Sequence, residues 1–311
     1  MRRILSRIEG GGGERMTHMR VAARHGVFVA VLLVGGRLSA QIPKVDVSEK
    51  ALTSAAVKYV AEYEKQFAFL IADEEYTQTV FDADGRKTQT RVLKAEMFLT
   101  YLPADGEWMA VRDVLEVDGE PIKGREDLRA LLAKREELRL VKQLTWRNSR
   151  YNLGRVERNF NEPTLALLLL DSKRTPRVKF DRKRVVRDDD ITLATLAFEE
   201  KEAPTLVATP NEGAVRAKGE FVLDAATGTV RRTVFQLTRP GIDARLVTSY
   251  TKDDKLNLWL PSVFTERYES SSYAGGGIRL PSNAARASRE LVECVAKYTN
   301  YRRFEVTARI K

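Results

Sequence analysis

The chain has 311 residues and a formal net charge of +10, of which residues 41–311 contribute +5 because residues 1–40 hold seven arginines and two glutamates. So weak a positive charge does not by itself indicate a nucleic-acid partner. The only histidines are His18 and His25 and the only cysteine is Cys294. Residues 41–311 therefore contain no Ser-His or Cys-His catalytic pair, no histidine-ligated metal site and no internal disulfide. We expect no enzyme activity, no cofactor and no metal.

Residues 19–40 have the organisation of a secretory signal peptide. Arg20 and Arg24 form a basic region, Val27–Val34 an apolar stretch, and Leu38-Ser39-Ala40 a motif for cleavage after Ala40. The apolar stretch is shorter than the roughly 20 residues that a membrane-spanning helix needs. We predict cleavage at this motif and a periplasmic or secreted protein without a transmembrane span.

The residues before Met16 read GGGGER, which almost pure purine codons can encode, as in a ribosome-binding site. We expect translation to start at Met16 or Met19, so that residues 1–15 are not translated. The predicted organisation is then a signal peptide, residues 1–40, followed by a single domain, residues 41–311.

The first predicted elements of the domain are a helix and a β-hairpin. Asp46–Glu49 resembles a capping box, and Leu52, Ala56 and Val60 recur at helical spacing. The hairpin then turns at Asp84-Gly85.

The second arm of this hairpin shows the clearest one-sided strand pattern in the chain. Phe98 interrupts its polar face, which carries Lys94, Glu96 and Thr100. Its apolar face carries Leu93, Ala95, Met97, Leu99 and Tyr101.

A strand and two helices are predicted next. The strand ends at Asp118-Gly119, residues 125–144 have the composition of a helix, and Pro163 begins a short apolar helix with the sequence PTLALLLLD. Alternation along the strand places four apolar residues in register: Met109, Val111, Leu115 and Val117.

From residue 177 onward, the pattern is one of short strands separated by turn residues, apart from a long excursion over 271–288. In the hairpin 219–237, alternation pairs Phe221 with Leu223, and Val230 with Val234, on one face. Because the helices cluster in the first half, we predict an α+β protein with a strongly curved antiparallel sheet and helices on its concave face.

Two groups of charged residues have competing interpretations. Eight Lys and Arg residues between 173 and 187 could bind anionic headgroups or an acidic partner, but Asp188–Asp190 follow them, and we favour a solvated hairpin. Glu74-Glu75 and Glu136-Glu137 could be acid–base pairs, but adjacent strand residues point to opposite faces, and we expect solvated charges. The pattern around Cys294 predicts a small buried side chain rather than a reactive thiol.

Three segments resemble the outer-membrane lipoprotein carrier (LolA-like) superfamily. They are EEYTQTVFDADGRKTQTRVLKAEMFLTYLP (74–103), GEFVLDAATGTVRRTVFQL (219–237) and KLNLWLPSVFTERYE (255–269). The resemblance implies an unclosed antiparallel half-barrel that holds acyl chains between its concave face and helices. The chain differs from the carriers at Leu102-Pro103, where they have Arg before Pro, and in the helical insertion over 125–150.

We therefore expect a non-catalytic protein that binds a lipid or the acyl chains of a lipoprotein in an apolar cleft. The alternative is an envelope protein-interaction or stress-sensor module that uses the outer sheet face and the basic 173–187 segment and has no ligand cavity. The residues expected to line the cleft by apolar contact are Leu93, Met97, Leu99, Phe221, Leu246, Tyr250 and Phe264.

Overall fold

The computed structural model describes residues 45–67, 69–102, 105–125, 128, 148–156, 158, 162–188, 190–209, 213–271 and 289–304. The predicted signal peptide, almost all of the predicted 125–144 helix and the excursion after residue 271 lie outside the described residues. Within these ranges, no helix is both long enough and apolar enough to cross a lipid bilayer.

The predicted first helix is confirmed as α1, Glu49–Gln66. The Ser48 hydroxyl caps it by accepting a hydrogen bond from the backbone N–H of Ala51. Three short 3-10 helices follow along the chain: Ser149–Tyr151, Leu165–Leu170 and Thr175–Arg177.

Thirteen strands are described, and every strand pairing is antiparallel. They are β1 (Leu70–Phe81), β2 (Lys87–Leu102), β3 (Glu107–Val117), β4 (Glu120–Pro121), β5 (Val178–Asp188), β6 (Ile191–Glu200), β7 (Val207–Thr209), β8 (Gly213–Val215), β9 (Ala217–Asp224), β10 (Val230–Arg239), β11 (Ile242–Asp253), β12 (Leu258–Ser271) and β13 (Arg289–Arg303).

Eleven of these strands form one sheet in the order β4-β3-β2-β1-β13-β12-β11-β10-β9-β6-β5, and β7 pairs with β8 separately. The described strands β4 and β5 end the sheet without pairing with each other, so the sheet is open. The prediction of a largely antiparallel, unclosed sheet with few helices is confirmed.

The main hydrophobic core joins α1 and the 3-10 helix Leu165–Leu170 to side chains from one face of the large sheet. We call this face the packed face and the opposite one the outer face. A second, small cluster on the outer face contains Ile71, Phe98, Val111 and Leu128. Packing in this second cluster explains why an apolar residue, Phe98, stands on the otherwise polar face of β2.

Two register shifts change which residues reach the packed face. A shift between Val230 and Arg232 makes Phe235, not Val234, join Val230 in the main core. The predicted pairing of Val230 with Val234 is therefore wrong, because a bulge breaks the period of two. On β3, the predicted apolar register is also divided: Met109 packs with the outer cluster and Val117 with the main core.

The β9–β10 hairpin supports α1 at its turn. Gly228 has a φ of +74°, and a Cβ atom there would lie 2.2 Å from the backbone oxygen of Ala55 in α1. The Asp224 side chain organises the turn by accepting a hydrogen bond of 2.9 Å from the Ala226 N–H. The α1 helix therefore packs directly against the turn of this hairpin.

Candidate ligand-binding face

The seven residues predicted to line an apolar cleft all belong to the main core cluster, and none is more than 6% exposed. The structure thus brings them together, on β2, β9, β11 and β12. They are buried in this conformation, so an apolar ligand would have to displace some of the core side chains that pack against them. The residues are Leu93, Met97, Leu99, Phe221, Leu246, Tyr250 and Phe264.

The main core also contains the 3-10 helix Leu165–Leu170, which we call the leucine segment. All six of its residues are at most 7% exposed. A 3-10 helix has poor hydrogen-bond geometry and seldom exceeds three or four residues. Side-chain burial rather than local backbone energy therefore holds this segment in place.

Two hydroxyl groups on β11 hold the start of the leucine segment. Thr248 Oγ1 and the Tyr250 hydroxyl donate to the Pro163 carbonyl oxygen, at 2.6 Å and 3.1 Å. Tyr250 thus makes a polar contact in addition to the apolar contact that the sequence predicts. These two hydrogen bonds join the start of the leucine segment to the sheet.

Two carboxyl groups, those of Glu64 and Asp171, lie where α1 meets the end of the leucine segment. Burial and the neighbouring Asp171 raise the pKa of the Glu64 carboxyl to about 7, although Tyr101 and Arg174 nearby lower it. Glu64 Oε1 is buried without a hydrogen-bond partner. Glu64 therefore loses its proton near neutral pH, and its negative charge then lies close to that of Asp171.

The packed face also holds a buried ion pair. Arg112 donates to both carboxylate oxygens of Glu74, at 2.5 Å and 2.8 Å, and its guanidinium lies 3.8 Å from the centre of the Tyr76 ring. Burial alone would lower the pKa of Arg112, but the Glu74 carboxylate raises it overall. The prediction of a solvated Glu74 is wrong, since its strand phase directs it into the core, whereas Glu75 is exposed.

A second polar group adjoins this pair. Tyr76 donates to Glu266 Oε2 at 3.1 Å, and Arg158 donates to Gln78 Oε1 and to Cys294 Sγ. Burial raises the pKa of the Glu266 carboxyl. We call the following set the polar cluster: Glu74, Tyr76, Gln78, Arg112, Arg158, Glu266, Cys294 and Tyr298.

Cys294 is 1% exposed, so the prediction of a buried cysteine is confirmed. Burial and the Glu266 carboxylate raise the pKa of its thiol to about 12. Because the thiolate is the reactive form, such a thiol is inert at neutral pH.

The basic segment is exposed, and two of its lysines line a groove on the outer face. The groove has a volume of about 490 Å³ and includes Lys218, Glu220 and Arg245 beside Lys179 and Lys183. Lys183 pairs with Asp181. Both charge signs are therefore present in this groove, and the solvated-hairpin interpretation stays a prediction.

No protein-family model and no curated protein matches this chain. The solved structures that are similar to it include the following three. One is an outer membrane lipoprotein-sorting protein domain from Vibrio parahaemolyticus, with 11% identity over 80% of this chain and 92% of that one and a TM-score of 0.31.

The second is a LolA superfamily protein from Nitrosomonas europaea, with 11% identity over 84% of this chain and 95% of that one and a TM-score of 0.32. The third is a DUF1329 family protein from Desulfovibrio piger, with 12% identity over 83% and 93% and a TM-score of 0.36. The LolA-like superfamily that the hairpin sequences resemble is thus found among the similar structures.

Sequence reasoning did not identify the charged members of the polar cluster. Arg112 and Glu266 are 3% and 2% exposed, and they come from strands far apart in the chain. The only sequence signal for them is that a charged residue falls on the same face of its strand as the apolar residues. Glu266, for example, lies two residues from Phe264 and two from Tyr268. No group of three or more His, Cys, Asp or Glu side chains among the described residues could hold a metal ion.

Proposed function

We propose that this protein is an exported, non-catalytic carrier that binds the acyl chain of a lipid or lipidated protein on the packed face. In this proposal the sheet is a half-barrel, its packed face is concave, and α1 and the leucine segment cover it. The leucine segment moves away when the acyl chain enters. The predicted signal peptide supports a periplasmic or secreted location.

The observation that carries the proposal is the leucine segment itself. It places five leucine side chains and one alanine, all buried, against the face that the sequence predicts to be apolar. An acyl chain has similar chemistry and can replace those side chains without any ionisable group. Burying a sixteen-carbon chain contributes about 12 kcal/mol gross, at about 0.8 kcal/mol per methylene.

The test is native mass spectrometry of the full-length chain, exported by a Gram-negative host and purified from its periplasm, followed by organic extraction. We expect a bound mass that the solvent releases as lipid, and displacement of a fluorescent sixteen-carbon acyl probe by that lipid. A bare polypeptide that also fails to bind the probe would rule out acyl binding.

Charged substitutions in the cleft are poor tests of this proposal. Met97 and Leu99 are at most 1% exposed, so an aspartate at either position would bury an unpaired charge and should destabilise the whole fold. Variants that remove only the hydrogen bonds between β11 and the start of the leucine segment are informative instead.

A second candidate is an envelope protein-interaction module, favoured by the outer-face groove. Gln236 lines it, opposite Lys218 on β9 and Arg245 on β11. A photo-crosslinker at Gln236 should then give one adduct of defined mass in exporting cells, and one at the exposed hairpin residue Arg86 should not. Equal adduct patterns from both positions would remove this candidate.

A further inference from the structure

The polar cluster contains buried atoms that no protein group satisfies. Arg158 Nε, Glu266 Oε1 and the hydroxyls of Tyr298 and Tyr268 are inaccessible to solvent and have no hydrogen-bond partner. Tyr298 is 5% exposed and the other three residues are 2% exposed, and the Arg158 guanidinium lies 5.8 Å from the centre of the Tyr268 ring. Buried polar atoms are nearly always paired in folded proteins, so four unpaired atoms in one place require an explanation.

Strand register places these groups beside the apolar lining. Tyr76 lies opposite Leu93, and Ala296, next to Tyr76 on β13, lies opposite Phe264. Tyr298 follows two residues later on the same face of β13. A ligand whose chain contacts Leu93 and Phe264 therefore has its polar end within reach of the cluster.

The unpaired atoms specify the kind of polar group that fits. Arg158 Nε–H is a donor, Glu266 Oε1 is an acceptor, and a phenol hydroxyl can be either. While Glu74 and Glu266 are both ionised, they balance the two arginines of the cluster, so a carboxylate or phosphate would add an uncompensated buried charge. A pure hydrocarbon would leave all four atoms unpaired.

We propose that the polar cluster binds the uncharged polar end of the acyl ligand, through a hydroxyl or amide group that both donates and accepts hydrogen bonds. The inference rests on the proposed function and defines its ligand class as an acyl compound with a neutral, hydrogen-bond-donating head, such as a monoacylglycerol. It does not extend to free fatty acids or to acyl esters that lack a donor.

The test compares three ligands that share one sixteen-carbon chain: monopalmitoylglycerol, methyl palmitate and palmitate. Each competes with a fluorescent acyl probe on the full-length exported protein. We expect monopalmitoylglycerol to bind about tenfold more tightly than either of the others, the equivalent of one or two net hydrogen bonds.

The decisive variant is Tyr298→Phe. Because the Tyr298 hydroxyl has no protein partner, its removal should leave the melting temperature and methyl palmitate binding unchanged. The same change should weaken monopalmitoylglycerol binding about threefold to tenfold. Tyr63→Phe on α1, which removes another buried hydroxyl without a hydrogen-bond partner but outside the polar cluster, is the matched control and should leave the preference among the three ligands unchanged.

The possible outcomes separate the two proposals. If none of the three ligands displaces the probe and no probe binds, acyl binding itself fails, and the head-group assignment with it. If all three bind equally, if palmitate binds most tightly, or if Tyr298→Phe leaves the preference intact, acyl binding stands and the head-group assignment is overturned.

Discussion

At the scale of single residues, the buried Glu74–Arg112 pair shows how the packed face tolerates charge. Both side chains are almost fully buried, at 0% and 4% exposed, and two hydrogen bonds join them. Desolvation of two charges largely offsets their attraction, so the pair itself adds little net stability. Each partner nevertheless depends on the other, because either charge alone would be buried without compensation.

We predict that Arg112→Met lowers the free energy of unfolding by about 3–5 kcal/mol, since it leaves Glu74 as an unpaired buried charge. Adding Glu74→Gln should recover most of this loss. Urea unfolding of the two variants measures both effects. Lys94→Met, which breaks the exposed pair with Glu116 on the neighbouring strands, is the control and should have little effect. A small loss for Arg112→Met alone would contradict the burial of this pair.

At the scale of elements, the turn of the β9–β10 hairpin fixes the position of α1. Gly85 and Gly228 both lie in hairpin turns, with φ values of +77° and +74°. A Cβ atom at Gly85 would meet nothing within 4 Å, whereas one at Gly228 would overlap the α1 backbone at Ala55. The same substitution at both positions therefore separates backbone strain from the helix contact.

We predict that Gly85→Ala costs about 1–2 kcal/mol from its left-handed backbone conformation. Gly228→Ala should cost about 1–3 kcal/mol more, because α1 must also shift away from the turn. Thermal unfolding of the two variants gives the comparison. Equal losses would mean that α1 does not press against this turn.

The contact between α1 and the leucine segment should depend on pH through Glu64. Its folded pKa of about 7 lies above the ordinary value of 4.5, so the folded state binds the proton more tightly. The stability from this group is then greatest below the ordinary value and is lost as the pH rises through about 7. Above that range, the Glu64 carboxylate faces Asp171.

We therefore predict that Glu64→Gln raises the melting temperature relative to the wild type at about pH 8 but not at about pH 4. Differential scanning calorimetry across this range gives the difference curve. Glu62→Gln, an exposed change on the same helix, is the control. A difference between wild type and Glu64→Gln that stays constant with pH would show that Glu64 has an ordinary pKa.

At the scale of the whole molecule, helical spacing predicts α1, and alternation with turn residues predicts the hairpins and the antiparallel sheet, because these depend on local periodicity. That the sheet is open is implied only by the family resemblance. The errors have nonlocal causes. The bulge at Arg231 reverses the face of Val234, and Glu74 is buried because Arg112, two strands away, lies beside it. The burial of PTLALLLLD is evident from its composition, but the element against which it packs is not.

Under the proposed function, the leucine segment and an acyl chain compete for the same packed face of the sheet. In the conformation described, the segment occupies the main core, so under the proposed function an acyl chain would bind only the fraction of molecules in which the segment has moved away. Apparent affinity falls in proportion to that fraction. The two hydrogen bonds to Pro163 stabilise the closed form alone and should therefore weaken acyl binding.

We predict that the double variant Thr248→Val and Tyr250→Phe binds a sixteen-carbon acyl probe more tightly than the wild type, although it is less stable. Loss of two hydrogen bonds worth about 1 kcal/mol each shifts the closed–open equilibrium by up to about 30-fold. Fluorescence titration measures the affinity, and calorimetry measures the stability. In the matched control Tyr301→Phe, the hydroxyl removed donates to the carbonyl of Pro261, which lies within the sheet, at 2.6 Å. The control should lose stability without gaining affinity. If the double variant behaves like the control, the leucine segment does not move away to admit the acyl chain.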